Sequence, residues 1–234
     1  MHRTIRICCA GACVLGTLML PAWPAPAVAA TTGGTACEFQ AVIQFDSPYL
    51  TAIPAPFTSN IVGGLSQSVP GLAACSSTVG GAPAGTPVMD AGDAYSVTVS
   101  GTDPITGDWS VTYALPESAG YGSCALSTSS GTLIADWPDG THTVVDYSTI
   151  GAGPVWLFGG QVAAAATLNQ VASTGTPPAG TPSTYTVSSD NAAFPTQTQV
   201  GGATSFISEI GDPTCSATTF GGAEGSLEFS TNGS

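Results

Sequence analysis

The sequence predicts an all-β protein, an antiparallel β-sandwich or a Greek-key, barrel-like variant of it. In several short segments apolar residues alternate with polar ones, which is the pattern of strands with one buried face. The 234 residues include 30 Gly and 18 Pro, a composition that suits many short strands joined by tight turns. No segment has the apolar periodicity of an amphipathic helix. Together these features are typical of antiparallel sheets packed in two layers.

Individual strands are predicted from residues that share one face. The alternation is clearest in residues 37–45 and 109–115, where apolar side chains occupy every second position. Residues 155–165 are more continuously apolar, as expected for a central strand. Shorter candidates are residues 95–99, 184–187, 203–210 and 226–230.

Residues 131–147 are predicted to form a β-hairpin. Its two strands, 132–137 and 141–147, flank Pro138-Asp139-Gly140. Asp-Gly favours such a turn because Gly adopts a positive φ without steric cost. Two Gly- and Pro-rich stretches, 80–92 and 172–182, are interpreted as long surface loops, since the segments between them are too short to bury separate cores.

The first 30 residues are predicted to be a secretory signal peptide. Residues 1–6 are short and basic, residues 7–20 are apolar and uncharged, and Ala27-Val28-Ala29 or Val28-Ala29-Ala30 fits a small-x-small cleavage site. The apolar run is shorter than the ~20 residues that cross a bilayer, so we expect no transmembrane anchor. The mature protein is expected to be secreted, with a single domain formed by residues 31–234.

Four cysteines lie beyond the predicted signal peptide: Cys37, Cys75, Cys124 and Cys215. An even number in an exported chain predicts two disulfides. Four cysteines allow three connectivities, which the sequence does not distinguish. The pairing that we favour is Cys75–Cys124 with Cys37–Cys215, which would tie the first strand to a C-terminal one. Zinc ligation is disfavoured, because no C-x-x-C spacing is present.

The charge distribution excludes several classes of partner. The chain has 2 Lys plus Arg against 15 Asp plus Glu, and both cations, Arg3 and Arg6, lie in the predicted signal peptide. Binding to nucleic-acid phosphates and attraction to anionic lipid both need Lys or Arg. We therefore expect no nucleic-acid partner. No Gly-rich phosphate loop is present, and no cofactor is predicted.

One histidine, His142, lies beyond the predicted signal peptide and is the candidate base of a Ser/His/acid triad. In a strand it would share a face with Asp146, and Asp136 and Asp139 lie across the predicted hairpin. No G-x-S-x-G motif accompanies it. A glycosidase would need two carboxylates at a fixed separation, but many acids here stand in turn contexts. The sequence therefore favours a protein without catalytic activity.

Two further hypotheses concern calcium and carbohydrate. Asp103 and Asp108 lie on one loop and offer the oxygen ligands that Ca²⁺ prefers, but their spacing is not that of an EF-hand. Turn formation is the alternative role for both, and no other metal site is predicted. Trp109, Trp137 and Trp156 are candidates for an exposed platform on which sugar rings stack. Strand tryptophans also commonly pack in the core or in cross-strand pairs.

A series of short segments runs through most of residues 31–234: Phe45–Thr51, Gly63–Cys75, Gly122–Cys124, Gly131–Trp137, Asp139–Thr141, Gly151–Val155, Phe158–Gly160, Asp212–Cys215 and Gly225–Thr231. In this order they resemble a group of small exported proteins of actinobacteria. The resemblance implies a β-sandwich or barrel fold. It implies no assigned activity and no catalytic residues.

The favoured interpretation is a secreted, non-catalytic all-β protein that is extracellular or associated with the cell envelope, as a structural or binding module in contact with cell wall or polysaccharide. A secreted hydrolase of polysaccharide or ester is one alternative, and a carbohydrate-binding module is another. A deep pocket at His142 or two facing carboxylates would favour the hydrolase. An exposed row of Trp and Tyr would favour the carbohydrate-binding module.

The charge distribution also predicts a dependence of stability on salt. Uniform negative charge repels itself in the folded state, and salt screens this repulsion. The melting temperature is expected to rise from low to moderate salt at fixed pH. A flat or falling trend in thermal melting curves would contradict the expectation.

Overall fold

The computed structural model describes residues 34–45, 53–62, 76–77, 87–123, 125–152, 155–206 and 219–230. Within these ranges the backbone forms strands and a single 3-10 turn, Gly92–Ala94, so the predicted all-β class is confirmed. The strands are β1 (Gly34–Phe45), β2 (Ala55–Val62), β3 (Ser76–Ser77), β4 (Val88–Ala91), β5 (Ser96–Asp103), β6 (Gly107–Ala114), β7 (Ser118–Gly122), β8 (Ser127–Asp136), β9 (His142–Ala152), β10 (Val155–Ala163), β11 (Ala165–Thr174), β12 (Thr184–Ser188), β13 (Gln199–Phe206) and β14 (Thr219–Ser230).

The strands form a larger and a smaller antiparallel sheet. The larger one has the order β3-β1-β14-β13-β10-β9-β8-β4-β2-β7, and the smaller one has the order β12-β11-β6-β5. In the larger sheet β1 also pairs with β2, and β7 also pairs with β8. The pairings of the larger sheet therefore lead back to their start, with β4 and β7 sharing the position between β2 and β8.

Two clusters of buried side chains correspond to the two faces of the larger sheet. The first lies on its inner face and includes Phe57, Met89 and Trp156. The second lies between its outer face and the smaller sheet and includes Tyr113 and Leu168. The smaller sheet thus packs on the larger one as the second layer of a sandwich-like fold.

The β8–β9 hairpin contributes side chains to both clusters. Successive side chains of a strand point to opposite faces, so Leu133, Ala135 and Val145 reach the inner cluster. Ile134 and Val144 point the other way and are fully buried beneath the smaller sheet. Because one hairpin is buried on both faces, it joins the two cores.

The hairpin itself was predicted from residues 131–147 and is confirmed. Its strands pair from Ser127 opposite Gly151 to Asp136 opposite His142. At the turn Gly140 has φ +84°, and its N–H donates to the carbonyl of Trp137. The Asp-Gly pair thus has the local role that the sequence indicated.

The chain passes from the larger sheet to the smaller one between β10 and β11 and returns after β12. At the return the Ser189 hydroxyl donates to the carbonyl of Ala163 at 2.7 Å and accepts the N–H of Val144 at 2.8 Å. The Asp190 carboxylate accepts the N–H of His142 at 2.6 Å. These bonds hold the start of β9 at the point where its pairing with β10 ends.

Other strand predictions agree with the structure to different degrees. In and beside β6, Val111, Tyr113 and Leu115 share a buried face, as predicted. β10 is a central strand as predicted, but one of its faces is exposed at Val155 and Leu157. The two predicted loops are partly wrong, since β4 lies within residues 80–92 and β11 continues to residue 174.

Three polar side-chain pairs lie within the fold. The hydroxyls of Ser118 and Tyr147 are 2.6 Å apart, and those of Ser129 and Thr149 are 2.7 Å apart. In the third pair, Nε1 of Trp137 donates to Oγ1 of Thr143 at 2.9 Å. Such pairing removes most of the cost of burying hydroxyl and indole groups. The Tyr147 ring also stacks on Phe158, with ring centroids 4.5 Å apart.

Two isoleucines test how the smaller sheet covers the larger one. Ile134 is fully buried, whereas Ile150 is 55% exposed on the uncovered part of the same outer face. Ile134→Ala is expected to lower the free energy of unfolding by about 2–5 kcal/mol. Ile150→Ala, the matched control, is expected to change it by no more than about 0.5 kcal/mol. Urea unfolding measures both, and equal losses would contradict the described packing.

Tyr147 predicts a loss of stability at alkaline pH. Burial raises its pKa from 10.0 to about 12, so the folded chain keeps the phenol proton where the unfolded chain releases it. This contribution is complete below pH ~10 and is lost as pH rises towards 12, at about 1.4 kcal/mol per pH unit. Urea unfolding between about pH 8 and 11 should show a shallower decline for Tyr147→Phe than for the parent. Identical slopes would refute this assignment.

Candidate functional site

The smaller sheet leaves part of the outer face of the larger sheet uncovered. On β8 and β9 the outward positions near the Pro138-Asp139-Gly140 turn are buried, at Ile134 and Val144. Towards the other end of the same strands the outward residues are exposed, including Thr128 and Ile150. The uncovered face extends over β7, β8, β9, β10 and β13.

A shallow, open groove of about 500 Å³ lies on this uncovered face. Its lining comes from β7, β8 and β9: Ala119, Gly120, Tyr121, Thr128, Ser129, Ser130, Ser148, Thr149 and Ile150. The strand register aligns the outward members of this set in rows across the sheet. Rows on one face are about 6.7 Å apart along the strands, and neighbouring strands are about 4.8 Å apart.

One side of the groove is apolar. The register places Tyr121, Thr128 and Ile150 in a single row, which continues to Leu157 on β10. Tyr121 is 57% exposed and Leu157 is 48% exposed. We call this row the apolar wall. The neighbouring row has smaller side chains and consists of Ala119, Ser130, Ser148 and Gly159. The space above Gly159 is open, since a Cβ placed there would meet no atom within 4 Å.

The opposite side of that row is polar. The next outward row contains Thr132, Asp146, Gln161 and Gln199, which the register aligns across β8, β9, β10 and β13. The Thr132 hydroxyl donates to the Asp146 carboxylate at 3.0 Å. We call this row the polar wall. Its exposed amide and carboxyl groups supply hydrogen-bond donors and acceptors parallel to the apolar wall.

Electrostatics restrict what this face can bind. Asp146 is the acid on the polar wall, and the apolar wall has no charged residue. After Arg6 the sequence contains no Lys or Arg, and it contains 15 acids. An anionic ligand would therefore meet repulsion without a cation to pair with it.

A group of polar side chains, His142, Asp136 and Tyr95, joins the two sheets near the β8–β9 turn. Nδ1 of His142 lies 2.7 Å from Oδ1 of Asp136, and both side chains are more than a third exposed. The Tyr95 hydroxyl donates to the same carboxylate oxygen at 3.4 Å. Burial, followed by the charge of Asp136, raises the pKa of Tyr95 above its ordinary value. An ionised carboxylate only accepts, so Nδ1 of His142 is the donor in this contact.

This group supplies two parts of the triad that was considered as an alternative. Of the three acids considered from the sequence, Asp136 contacts His142, while Asp146 pairs with Thr132 and Asp139 caps its own turn at Thr141. An acid-oriented histidine acts as a base only on a nucleophile within hydrogen-bond reach. Among the described residues, no serine, threonine or cysteine side chain hydrogen-bonds to the His142 ring.

The calcium candidates have other roles in the structure. Asp103 accepts the N–H groups of Ile105 and Thr106, each at 2.8 Å, and these bonds lower the pKa of its carboxyl. Asp108 accepts the Thr102 hydroxyl at 2.8 Å. Both acids thus stabilise the β5–β6 hairpin. Within the described ranges, no three His, Cys, Asp or Glu side chains are grouped so as to hold a metal ion.

The three candidate platform tryptophans do not form an exposed surface. Trp137 and Trp156 are buried in the inner cluster, and the Trp137 ring stacks on Phe194. Trp109 is partly buried against the hydrophobic core that lies between the two sheets. The three rings thus belong to two cores, because strands of a two-sheet protein also bury aromatic residues.

The predicted disulfides fall largely outside the described residues. Cys75, Cys124 and Cys215 lie beyond the described ranges, and Cys37 is placed on β1 opposite Leu227 of β14 by its backbone alone. The predicted signal peptide, residues 1–30, also lies outside them. The two disulfides and the signal peptide remain predictions.

Fold and face together define an all-β protein of two antiparallel sheets with an open groove on the larger one. The chain matches no known family model, no curated protein and no solved structure. In the described part of the chain, no helix has the length and apolar character needed to cross a membrane.

Sequence reasoning did not identify the groove. Its residues come from strands β7, β8 and β9, and β7 was not among the predicted strands. Alternation in residues 148–150 and 155–157 shows which side chains share a face, but not whether that face is covered. Predicting that Tyr121 belongs to the groove would have required knowledge that β7 pairs with β8.

Proposed function

We propose that this chain is an exported, non-catalytic binding module that uses the uncovered outer face of the larger sheet, where the groove, the apolar wall and the polar wall lie. Export is supported by the basic, apolar and small-residue segments of residues 1–30. The resemblance to small exported actinobacterial proteins agrees with it. The mature domain is proposed to act outside the cell, in contact with the cell envelope.

The observation that carries the proposal is the exposed apolar wall. Tyr121, Ile150 and Leu157 lie in one row, each about half exposed or more, on the same face that buries Ile134 elsewhere. Exposed apolar patches rimmed by polar groups commonly mark interaction sites. Hydroxyl and amide groups beside this wall provide the polar contacts that orient a ligand.

A hydrolase using His142 is the second candidate, and the contact with Asp136 favours it. That pair holds the imidazole as the acid of a triad does. It lies near the turn end of the hairpin, whereas the groove lies towards the other end of the same strands. The two candidates therefore predict different sensitive residues.

Binding to insoluble cell-envelope material distinguishes the candidates. The purified exported protein should sediment with the envelope fraction, and Ile150→Glu, which places a carboxylate in the apolar wall, should release it. His142→Ala should sediment like the parent, and neither protein should release reducing sugar or ester products. Hydrolysis lost in His142→Ala would favour the enzyme, and full binding by Ile150→Glu would contradict the proposed face.

A further inference from the structure

We infer that the groove binds a neutral polysaccharide, lying across the strands with its sugar rings against the apolar wall and its hydroxyls on the polar wall. The inference rests on the binding function proposed above and specifies its ligand class. Two observations support it: the chemistry of the two parallel walls and the negative charge of the chain.

The two walls are chemically unequal. The apolar wall offers the Tyr121 ring and the branched side chains of Ile150 and Leu157. The polar wall offers the amide of Gln161 and the carboxylate of Asp146, which already accepts the Thr132 hydroxyl through Oδ1. A pyranose matches this arrangement, because its ring faces present C–H groups and its edges carry hydroxyls that donate and accept.

Hydroxyl groups between the walls add further contacts. Ser130 and Ser148 are both exposed and line the groove. The Ser148 hydroxyl makes one long bond of 3.4 Å to the carbonyl of Gly159, which leaves its oxygen able to accept from a ligand. The ligand thus meets polar groups on the floor as well as on one side.

The groove is open and lies across three adjacent strands, β7, β8 and β9. The row at its floor continues from Ala119 on β7 through Ser130 and Ser148 to Gly159 and Gly201. Five strands about 4.8 Å apart give this row a length of about 19 Å. An uncovered face with a row of that length, of which the groove is one part, accommodates an extended chain of sugars better than a single small molecule.

Charge decides between a neutral glycan and other occupants. A second copy would bring together two chains that each carry 15 acids and no Lys or Arg beyond Arg6. An acidic polysaccharide would be repelled in the same way, and it would meet the Asp146 carboxylate directly. A neutral polysaccharide avoids both penalties and can donate hydroxyls to that carboxylate.

Affinity electrophoresis tests the inference with immobilised neutral polysaccharides, namely a β-glucan, an α-glucan, a mannan and an arabinogalactan, beside polygalacturonate as the acidic probe. At least one neutral polymer should retard the parent protein, and polygalacturonate should not. Retardation by polygalacturonate alone, or by no neutral polymer, would overturn the inference.

Matched variants locate the site. Tyr121→Ala and Gln161→Ala should each weaken binding to the retarding polymer by about tenfold. Tyr185→Ala and Gln170→Ala change the same residue types on the exposed part of the smaller sheet and should bind like the parent. Equal effects of the groove variants and their controls would overturn the placement of the glycan.

The outcome separates this inference from the proposed function. The parent protein could sediment with cell envelope while Ile150→Glu does not, and yet no neutral polymer could bind. In that case the face binds another ligand, and the inference of a neutral polysaccharide is wrong. If the parent also fails to bind envelope, the proposed function fails. A dimer in sedimentation equilibrium that Ile150→Glu dissociates would overturn the glycan in favour of a second copy.

Discussion

The structure depends on the way the β8–β9 hairpin divides its side chains between two cores. Leu133 and Val145 pack inside the larger sheet, whereas Ile134 and Val144 pack beneath the smaller one. The period of two along a strand makes this division obligatory, since a shift of one residue would exchange the two sets. The smaller sheet covers only the end of the hairpin where both sets are apolar. The uncovered end is the part of the face that holds the groove.

Local sequence chemistry was sufficient to predict the elements that local chemistry controls. The Asp139-Gly140 turn and the buried face of β6 follow from residues close together in the chain. Coverage of a face depends on a second sheet, which no local pattern encodes: Ile134 and Ile150 both occupy outward strand positions, yet one is buried and the other exposed. For the same reason, the sequence left open whether Trp137 and Trp156 form an exposed platform or pack in the core, and both are core residues.

The proposed binding surface and the unusual charge of the chain are physically related. With no Lys or Arg after Arg6, side chains form few ion pairs, and the contact of His142 with Asp136 is the one between described side chains. Specific recognition must then use hydroxyl, amide and carboxylate groups together with apolar contact, which are the groups found in the two walls. These groups suit an uncharged, hydroxyl-rich ligand better than an ionic one.

Hydroxyl-radical footprinting of the folded protein measures the coverage of the outer face directly. The four informative residues are apolar, point outward on β8, β9 and β10, and differ in whether the smaller sheet lies over them. Oxidation should be rapid at Ile150 and Leu157 and strongly suppressed at Ile134 and Val144. Comparable oxidation of all four, or protection of Ile150 with exposure of Ile134, would contradict the arrangement on which the fold and the groove both depend.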